Sequence, residues 1–240
     1  MLGLLYDMHC HILPGIDDGS PDIETSLEML KMQTKSGVGE IVCTPHFYLS
    51  EQSPREFLEK RQEAVSALGE AMEGDSPRLY MGAEVLYTPS LVEHDLKPLC
   101  IEGTRYLLIE LPYTRLTGDF IRGFNSFAND ISREIKLILA HAERYLNFTD
   151  EQSLYEIMDR DMLIQLNCGS FRSFSKTGRF IKELIKNKRA HFLGTDCHNM
   201  TGRPPNMAAA RKYIEKKFSP EVFGYFMRNA GKILKGKEIG

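Results

Sequence analysis

Short apolar runs alternate with longer amphipathic stretches along the whole chain. The short runs predict strands, and the stretches whose apolar positions recur every three or four residues predict helices. We predict seven strands, at residues 4–9, 40–44, 79–85, 106–111, 136–140, 163–167 and 190–195. We predict helices at residues 20–37, 54–73, 119–133, 175–188, 204–217 and 220–234, the first capped by Ser20 or Asp22.

This alternation is typical of parallel strands joined by crossover helices. Several of the runs, such as residues 106–109 and 137–140, are continuously apolar, which is expected of strands that are buried on both faces. Seven such units in 240 residues favour an α/β barrel of seven or eight strands, with an open doubly wound sheet as the alternative. No linker-like segment interrupts the chain, so we predict a single domain over residues 1–240.

Composition narrows the choice of function. Lys and Arg number 30 against 33 Asp and Glu, so the chain has no global charge that would attract nucleic acid. The apolar stretches fall short of the ~20 residues that a membrane span needs, and the N-terminus lacks the basic region of a signal peptide. The five cysteines lack the paired spacing of a disulfide framework. We expect a cytoplasmic protein without stable membrane insertion and without a nucleic-acid partner.

Ionisable residues end six of the seven predicted strands. The carboxyl ends of parallel strands meet at one rim, where the chemistry of such folds is located. Residues two apart on a strand project from the same face, so a His-x-His or Asp-x-His pair can bind one metal ion. The candidate ligands are His9, His11, His46, Glu84, Glu110, His141, Asp196 and His198.

This ligand set combines imidazoles and carboxylates without a thiolate. It suits two or three Mn²⁺, Fe or Zn²⁺ ions bridged by a carboxylate and a hydroxide. Metal ions ~3.5 to 4 Å apart generate a nucleophilic hydroxide at neutral pH and stabilise displacement at phosphorus. The intervening Cys10 and Cys197 point the other way and are expected to be small core residues. His94 and His191 have no such context and are not predicted to be ligands.

The sequence also contains the residue spacing of a different phosphatase mechanism. Cys197 and Arg203 have the C-x₅-R spacing of cysteine-dependent tyrosine phosphatases, in which a thiolate attacks phosphorus. The residues between them lack the glycine-rich cradle that would direct backbone N–H groups at phosphate, so we interpret Cys197 as a bystander. Aromatic residues in loops after strand ends could line a pocket for a phenyl ring. They are Phe47, Tyr48, Tyr87, Tyr113 and Phe171.

The ordered motifs resemble those of a known superfamily. They are H-x-H at 9–11, DDG at 17–19, TPH at 44–46, GAE at 82–84, IE at 109–110, AHAER at 140–144, and D-x-H at 196–198 followed by RPP at 203–205. This pattern, from residue 7 to about residue 206, resembles the PHP (polymerase and histidinol phosphatase) superfamily. Within it, the chain is most similar to the bacterial manganese-dependent protein-tyrosine phosphatases of capsule and exopolysaccharide clusters.

The resemblance implies a distorted (β/α)₇ TIM-like barrel that hydrolyses phosphotyrosine on the C-terminal tail of a bacterial tyrosine kinase regulating polysaccharide export. By position it implies three metal sites and two phosphate-binding arginines, Arg144 and Arg203. The first site takes His9, His11, Glu84 and Asp196; the second takes Glu110 and His141 with Glu84 as the bridge; the third takes His46, His198 and Asp18. Asp17 is the alternative to Asp18, and either could instead cap the first helix.

Two other functions remain open. A PHP-type enzyme could use the same metals on a small phosphomonoester such as histidinol phosphate. A non-catalytic kinase-binding or metal-sensing protein could retain the barrel, although every position of the family pattern is filled here. The oligomeric state does not follow from the sequence.

Overall fold

The computed structural model of the chain describes residues 4–159, 161–171 and 175–239. These residues form nine strands and seven α-helices. The strands are β1 (Leu5–Cys10), β2 (Val38–Cys43), β3 (His46–Phe47), β4 (Arg78–Met81), β5 (Glu84–Leu86), β6 (Tyr106–Glu110), β7 (Lys136–Leu139), β8 (Leu163–Asn167) and β9 (Phe192–Gly194). The helices are α1 (Ile23–Lys35), α2 (Pro54–Ala71), α3 (Gly118–Ile131), α4 (Glu151–Met158), α5 (Lys176–Lys186), α6 (Met207–Lys217) and α7 (Pro220–Ile233).

The strands pair in parallel throughout. Three of them form a sheet in the order β1-β2-β4, and six form a sheet in the order β3-β5-β6-β7-β8-β9. Cys10 at the end of β1 forms a parallel bridge with Cys197, just after β9, and this bridge links the two sheets. The chain is therefore an α/β fold built on a curled parallel sheet.

The strand predicted at 79–85 is wrong as a single strand. Gly82 and Ala83 interrupt it, so that β4 lies in the smaller sheet and β5 in the larger one. At this step the backbone N–H of Gly82 donates to the carbonyl of Cys43 at 2.9 Å, and that of Glu84 donates to the carbonyl of Pro45 at 3.0 Å. With the short strand β3, this break gives nine strands in the described residues where the pattern predicted seven.

Each predicted helix is present, with ends that differ by a few residues. The first begins at Ile23 because the Asp22 side chain caps it, accepting from the backbone N–H of Thr25 at 2.7 Å. The helix predicted from residue 204 begins at Met207. Pro204 stands before Pro205, and the helical conformation is disfavoured for a residue that precedes a proline. Helix α4 was not predicted, although Asp150 caps it by accepting from Ser153 N at 2.9 Å.

The strand interiors explain where the site lies. Every residue of β1, β6 and β8 is buried, as expected of parallel strands covered on both faces, and one contiguous apolar cluster packs around them. Buried ionisable side chains concentrate at the carboxyl ends of the strands. In the part of the chain that the structure describes, none of the helices combines the length and hydropathy of a bilayer-spanning segment.

Candidate metal centre

Four predicted ligands meet at the carboxyl ends of β1, β5 and β9. The candidate ligand atoms of His9, His11, Glu84 and Asp196 all lie within 4.8 Å of one another, and all four residues are buried. Glu84 Oε2 lies 3.2 Å from the Nε2 atoms of both His9 and His11. Asp196 Oδ1 lies 3.5 and 3.4 Å from the same two nitrogens. This is the set predicted for the first metal site.

Glu84 also reaches a second group through its other oxygen. Its Oε1 lies 2.6 Å from His141 Nε2, which lies 3.4 Å from Glu110 Oε1. Burial disfavours protonation of His141, but its contacts with Glu110 and Glu84 outweigh burial and raise its pKa to about 9. His46 joins the same region, with Nδ1 3.1 Å from Glu84 Oε2. Glu84 thus has the two-sided geometry expected of a bridging carboxylate.

The DDG turn separates the roles of its two aspartates. Asp18 Oδ1 lies 3.4 Å from Nε2 of both His46 and His198, and the candidate ligand atoms of these three residues and of His11 lie within 4.8 Å of one another. Asp18 is therefore the aspartate placed with the predicted third site, and its side chain is 69% exposed. Neither Asp17 nor Asp18 caps α1, because Asp22 does.

Asp17 instead holds the turn and the imidazole of His11. Its carboxylate accepts from His11 Nδ1 at 2.8 Å, from Gly19 N at 2.9 Å and from His46 N at 3.0 Å. Burial opposes ionisation of Asp17, but the hydrogen bond from His11 outweighs it and lowers the pKa of Asp17 to about 2. The bond to Nδ1 directs Nε2 of His11 at the cluster.

The buried polar atoms of the cluster test whether metal ions fit. Among the described residues, Glu84 Oε2, Asp196 Oδ1 and His198 Nε2 are buried without a hydrogen-bond partner. Unsatisfied buried polar atoms are rare in native proteins, and bound ions are one explanation for them. These atoms belong to nitrogen and oxygen donors that suit Mn²⁺, Fe or Zn²⁺. The residues present therefore fit a centre of several metal ions.

Both predicted phosphate-binding arginines contact the same carboxylate oxygen. Nη2 of Arg144 and Nη2 of Arg203 each donate to Asp196 Oδ2, the latter at 2.7 Å. The two side chains are 31% and 38% exposed, so each guanidinium also faces solvent beside the cluster. Arg144 Nη1 donates to the hydroxyl of Tyr113 at 3.1 Å. A guanidinium carries five N–H donors, and those not used here can bind an oxyanion above the cluster.

Two of the clustered residues have left-handed backbone conformations. His141 has φ of 32° and Asp196 has φ of 51°. Residues other than glycine pay of order 1–3 kcal/mol for such strain, and it is concentrated at functional sites. The surrounding hydrogen bonds hold both residues in place: His141 N donates to Gln165 Oε1 at 2.7 Å, and Asp196 N donates to the carbonyl of His9 at 2.8 Å.

The cysteines lie beneath the cluster in the core, as predicted. Cys197 is fully buried, and its Sγ lies 3.2 Å from that of Cys10. Both sulfurs lie near the buried carboxylate of Asp7, whose oxygens already accept hydrogen bonds from Thr195, Gln33 and the backbone of His9. A thiol enclosed in this way is not available to a phosphate in solution, so the C-x₅-R spacing does not form a thiolate site.

Only part of the predicted aromatic pocket lies at the cluster. Tyr48 stacks on His46 with ring centroids 5.2 Å apart, and the hydroxyl of Tyr113 lies 3.3 Å from His141 Nε2. Phe47 is fully buried, and Tyr87 packs against the aromatic side chains of α3. Phe171 contacts Tyr213 of α6. Of the five aromatic candidates, Phe47 and Tyr87 do not line a pocket at the cluster, because their side chains point into the core.

Sequence reasoning missed the contribution of β8. Its side chains Gln165 and Asn167 hydrogen-bond to His9 and Asp196, respectively. Their spacing of two residues, at the end of a buried strand, repeats the signal that identified His9 and His11. Amide side chains are neutral, so a pattern of ionisable residues at strand ends does not include them.

The chain is similar to known proteins along nearly its whole length. The chain matches the protein family described as "Capsular polysaccharide synthesis, CpsB/CapC" over residues 5–235. It is 27% identical over 246 residues to tyrosine-protein phosphatase YwqE of Bacillus subtilis, covering 98% of this chain and 93% of YwqE. It is 28% identical over 250 residues to tyrosine-protein phosphatase CpsB of Streptococcus agalactiae, covering 98% of this chain and 100% of that protein.

A solved structure supports the fold. It comes from crystal structures of YwqE from Bacillus subtilis and CpsB from Streptococcus pneumoniae, which are described as metal-dependent tyrosine phosphatases. The TM-score is 0.80 at 23% sequence identity, and the match covers 98% of this chain and 96% of the other. The curled parallel sheet is therefore shared with that structure along nearly the whole length of both chains.

Proposed function

The chain belongs to the CpsB/CapC family of capsular polysaccharide synthesis, and from that premise we propose that it is a metal-dependent tyrosine-protein phosphatase. It hydrolyses the phosphoric monoester of phosphotyrosine in a protein. The observation that carries this proposal is the convergence, at one rim, of nitrogen and oxygen ligands for several metal ions with two arginines on Asp196 Oδ2. Hydrolysis of a phosphoric monoester needs both. Metal ions activate the attacking water, and cationic groups offset the negative charge of the phosphoryl oxygens.

We assign three metal positions to the clustered residues. The first uses His9, His11, Glu84 and Asp196; the second uses Glu110 and His141 with Glu84 as the bridge; the third uses His46, His198 and Asp18. When bound, the ions would activate water as a nucleophile at neutral pH and offset negative charge on the phosphoryl oxygens.

The protein's own groups orient the substrate. Arg144 and Arg203 approach Asp196 Oδ2 from partly exposed positions, so their remaining N–H donors can pair with two phosphoryl oxygens. The guanidinium cannot lose its proton at neutral pH, so this contact persists throughout the reaction. Tyr113, with its hydroxyl on Arg144, holds that guanidinium beside the cluster.

The metal and the partner are part of the proposal. We propose Mn²⁺ in two or three positions, as the resemblance of the motifs to manganese-dependent phosphatases implies. The imidazole and carboxylate donors would also accept Fe or Zn²⁺. The substrate we propose is the phosphorylated tail of a bacterial tyrosine kinase that regulates capsule or exopolysaccharide synthesis, dephosphorylated in the cytoplasm.

The proposal also covers the fold. In it, the two sheets form one distorted (β/α)₇ barrel and a single domain over residues 1–240.

Chelation and substrate comparison test the proposal. Exhaustive chelation should abolish hydrolysis of a phosphotyrosine peptide, and added Mn²⁺ should restore it, because water of pKa near 15.7 is a poor nucleophile without a metal ion. Turnover that persists after verified metal loss contradicts the metal-dependent mechanism. The restored enzyme is then assayed with histidinol phosphate. A higher kcat/KM for that compound would assign the same site to a small phosphomonoester, and no turnover of either would indicate a non-catalytic protein.

A further inference from the structure

Strand β8 carries no predicted metal ligand, yet two of its side chains contact the metal centre assigned above. We propose that Gln165 and Asn167 are positioning residues, which fix the nitrogen of His9 and the oxygen of Asp196 that face the metal ions. This inference rests on the proposed function. It depends on one series of hydrogen bonds, in which a single backbone N–H group determines which atoms donate and which accept.

The series of hydrogen bonds begins at the backbone of His141. Its N–H lies 2.7 Å from the oxygen Oε1 of Gln165. A backbone N–H can only donate, so the side-chain atom facing it must be the carbonyl oxygen of the amide. The orientation of the Gln165 amide is therefore determined by a group that cannot reverse its role.

The same oxygen determines the proton position on His9. Nδ1 of His9 lies 3.1 Å from Gln165 Oε1, so Nδ1 must carry the hydrogen and donate it. In the neutral ring, Nε2 then keeps its lone pair, and it lies 3.2 Å from Glu84 Oε2 in the cluster. Metal-binding imidazoles are oriented in this way by an acceptor on the opposite nitrogen.

The other end of the amide determines which oxygen of Asp196 is free. Nε2 of Gln165 donates to Oδ1 of Asn167 at 2.9 Å, which leaves Nδ2 of Asn167 to donate to Asp196 Oδ2 at 2.7 Å. Asp196 Oδ1 is buried, has no hydrogen-bond partner among the described residues, and faces His9 and His11. One backbone donor thus orients ligands on two different strand ends.

The neighbouring strand makes room for this arrangement. A Cβ at Gly194 would collide with the Cβ of His9 and lie 2.8 Å from Gln165 Nε2. Only glycine allows β9 to approach His9 and Gln165 at this distance. The amide is therefore enclosed on a side where a larger residue would displace it.

The test replaces Gln165 with leucine, which keeps the volume and removes both amide groups. We expect Mn²⁺ affinity, measured by competition with a chelator, to fall by about 10- to 100-fold, the usual cost of losing a hydrogen-bond partner of a metal ligand. Imidazole ¹⁵N shifts in the metal-free protein should show that His9 no longer keeps its proton on Nδ1. Asn229→Leu is the matched control and should keep wild-type Mn²⁺ affinity, because Asn229 is also a buried amide but donates to the carbonyl of His191 at 3.1 Å.

A second variant keeps the inference testable if the Gln165→Leu protein does not fold. Asn167→Leu leaves the contact between Gln165 and His9 intact, so the His9 signature should be unchanged. Its loss of Mn²⁺ affinity should be smaller, since Arg144 and Arg203 still donate to Asp196. A Gln165→Leu protein that binds Mn²⁺ within twofold of wild type with an unchanged His9 signature overturns the inference. If wild type binds none of Mn²⁺, Fe²⁺ and Zn²⁺, the proposed function fails, and the His9 signature alone decides the positioning role.

Discussion

Replacing Arg203 with alanine should lower kcat/KM for a phosphotyrosine peptide while leaving the metal content unchanged. The guanidinium stands beside the cluster and is 38% exposed. A unit charge about 4 Å from a phosphoryl charge is worth about 4 kcal/mol near a protein surface, and partial exposure reduces this to about 3 kcal/mol. That loss in the transition state corresponds to about a 160-fold decrease in kcat/KM.

Metal content should persist because Asp196 keeps other donors. Its Oδ2 still accepts from Asn167 at 2.7 Å and from Arg144. Loss of a cation beside the centre also removes repulsion toward the metal ions. Arg203→Lys should remain impaired, since lysine restores the charge without the planar fork that pairs two oxygens. Arg144→Ala should behave like Arg203→Ala.

The assay measures metal content and steady-state kinetics on the same preparations. Arg189→Ala is the matched control: its side chain is 31% exposed and pairs with Asp159 at 2.6 Å, away from the cluster. The control should retain wild-type kinetics. Wild-type kcat/KM in both Arg144→Ala and Arg203→Ala, with metals bound, would show that neither arginine contacts the phosphoryl group.

His11→Ala and Glu110→Ala should each lose activity by orders of magnitude with unchanged circular dichroism, since the strands hold the ligands; collapse at 25 °C would make the metals structural. Cys197→Ser should keep turnover within a few-fold, and complete loss with fold and metals intact would revive the thiolate mechanism. His141→Gly should be more stable than His141→Ala by about 0.5 to 1 kcal/mol in urea unfolding, because φ at this position is 32°. Equal stabilities would contradict the strain argument.

The rim was predictable from the sequence because two simple patterns coincide there. Apolar runs mark buried parallel strands, and the ends of such strands converge, so an ionisable residue at the end of each one implies a cluster. The interruption between β4 and β5 was hidden because the apolar pattern continues through Gly82 and Ala83. The chain changes sheet there through its backbone hydrogen bonds, and these do not affect the hydropathy pattern.

Other features depend on geometry that sequence does not encode locally. Asp17 and Asp18 are chemically identical neighbours, and only the fold shows that one binds the His11 imidazole while the other faces His46 and His198. The direction of the Gln165 amide likewise depends on a contact 24 positions away in the chain. Such distinctions follow only from the three-dimensional structure, because each depends on a few specific contacts between side chains that the sequence does not reveal.

The exposure of Asp18 has a consequence for the kinetics of metal exchange. The four ligands assigned to the first position are buried, whereas the Asp18 side chain of the third is 69% exposed. Water can reach and replace an exposed carboxylate far more easily than a buried one, so an ion in the third position should equilibrate with the buffer while ions held by buried ligands are retained. A protein dialysed against metal-free buffer should then release its ions in two kinetic phases, and Asp18→Asn should accelerate only the fast one.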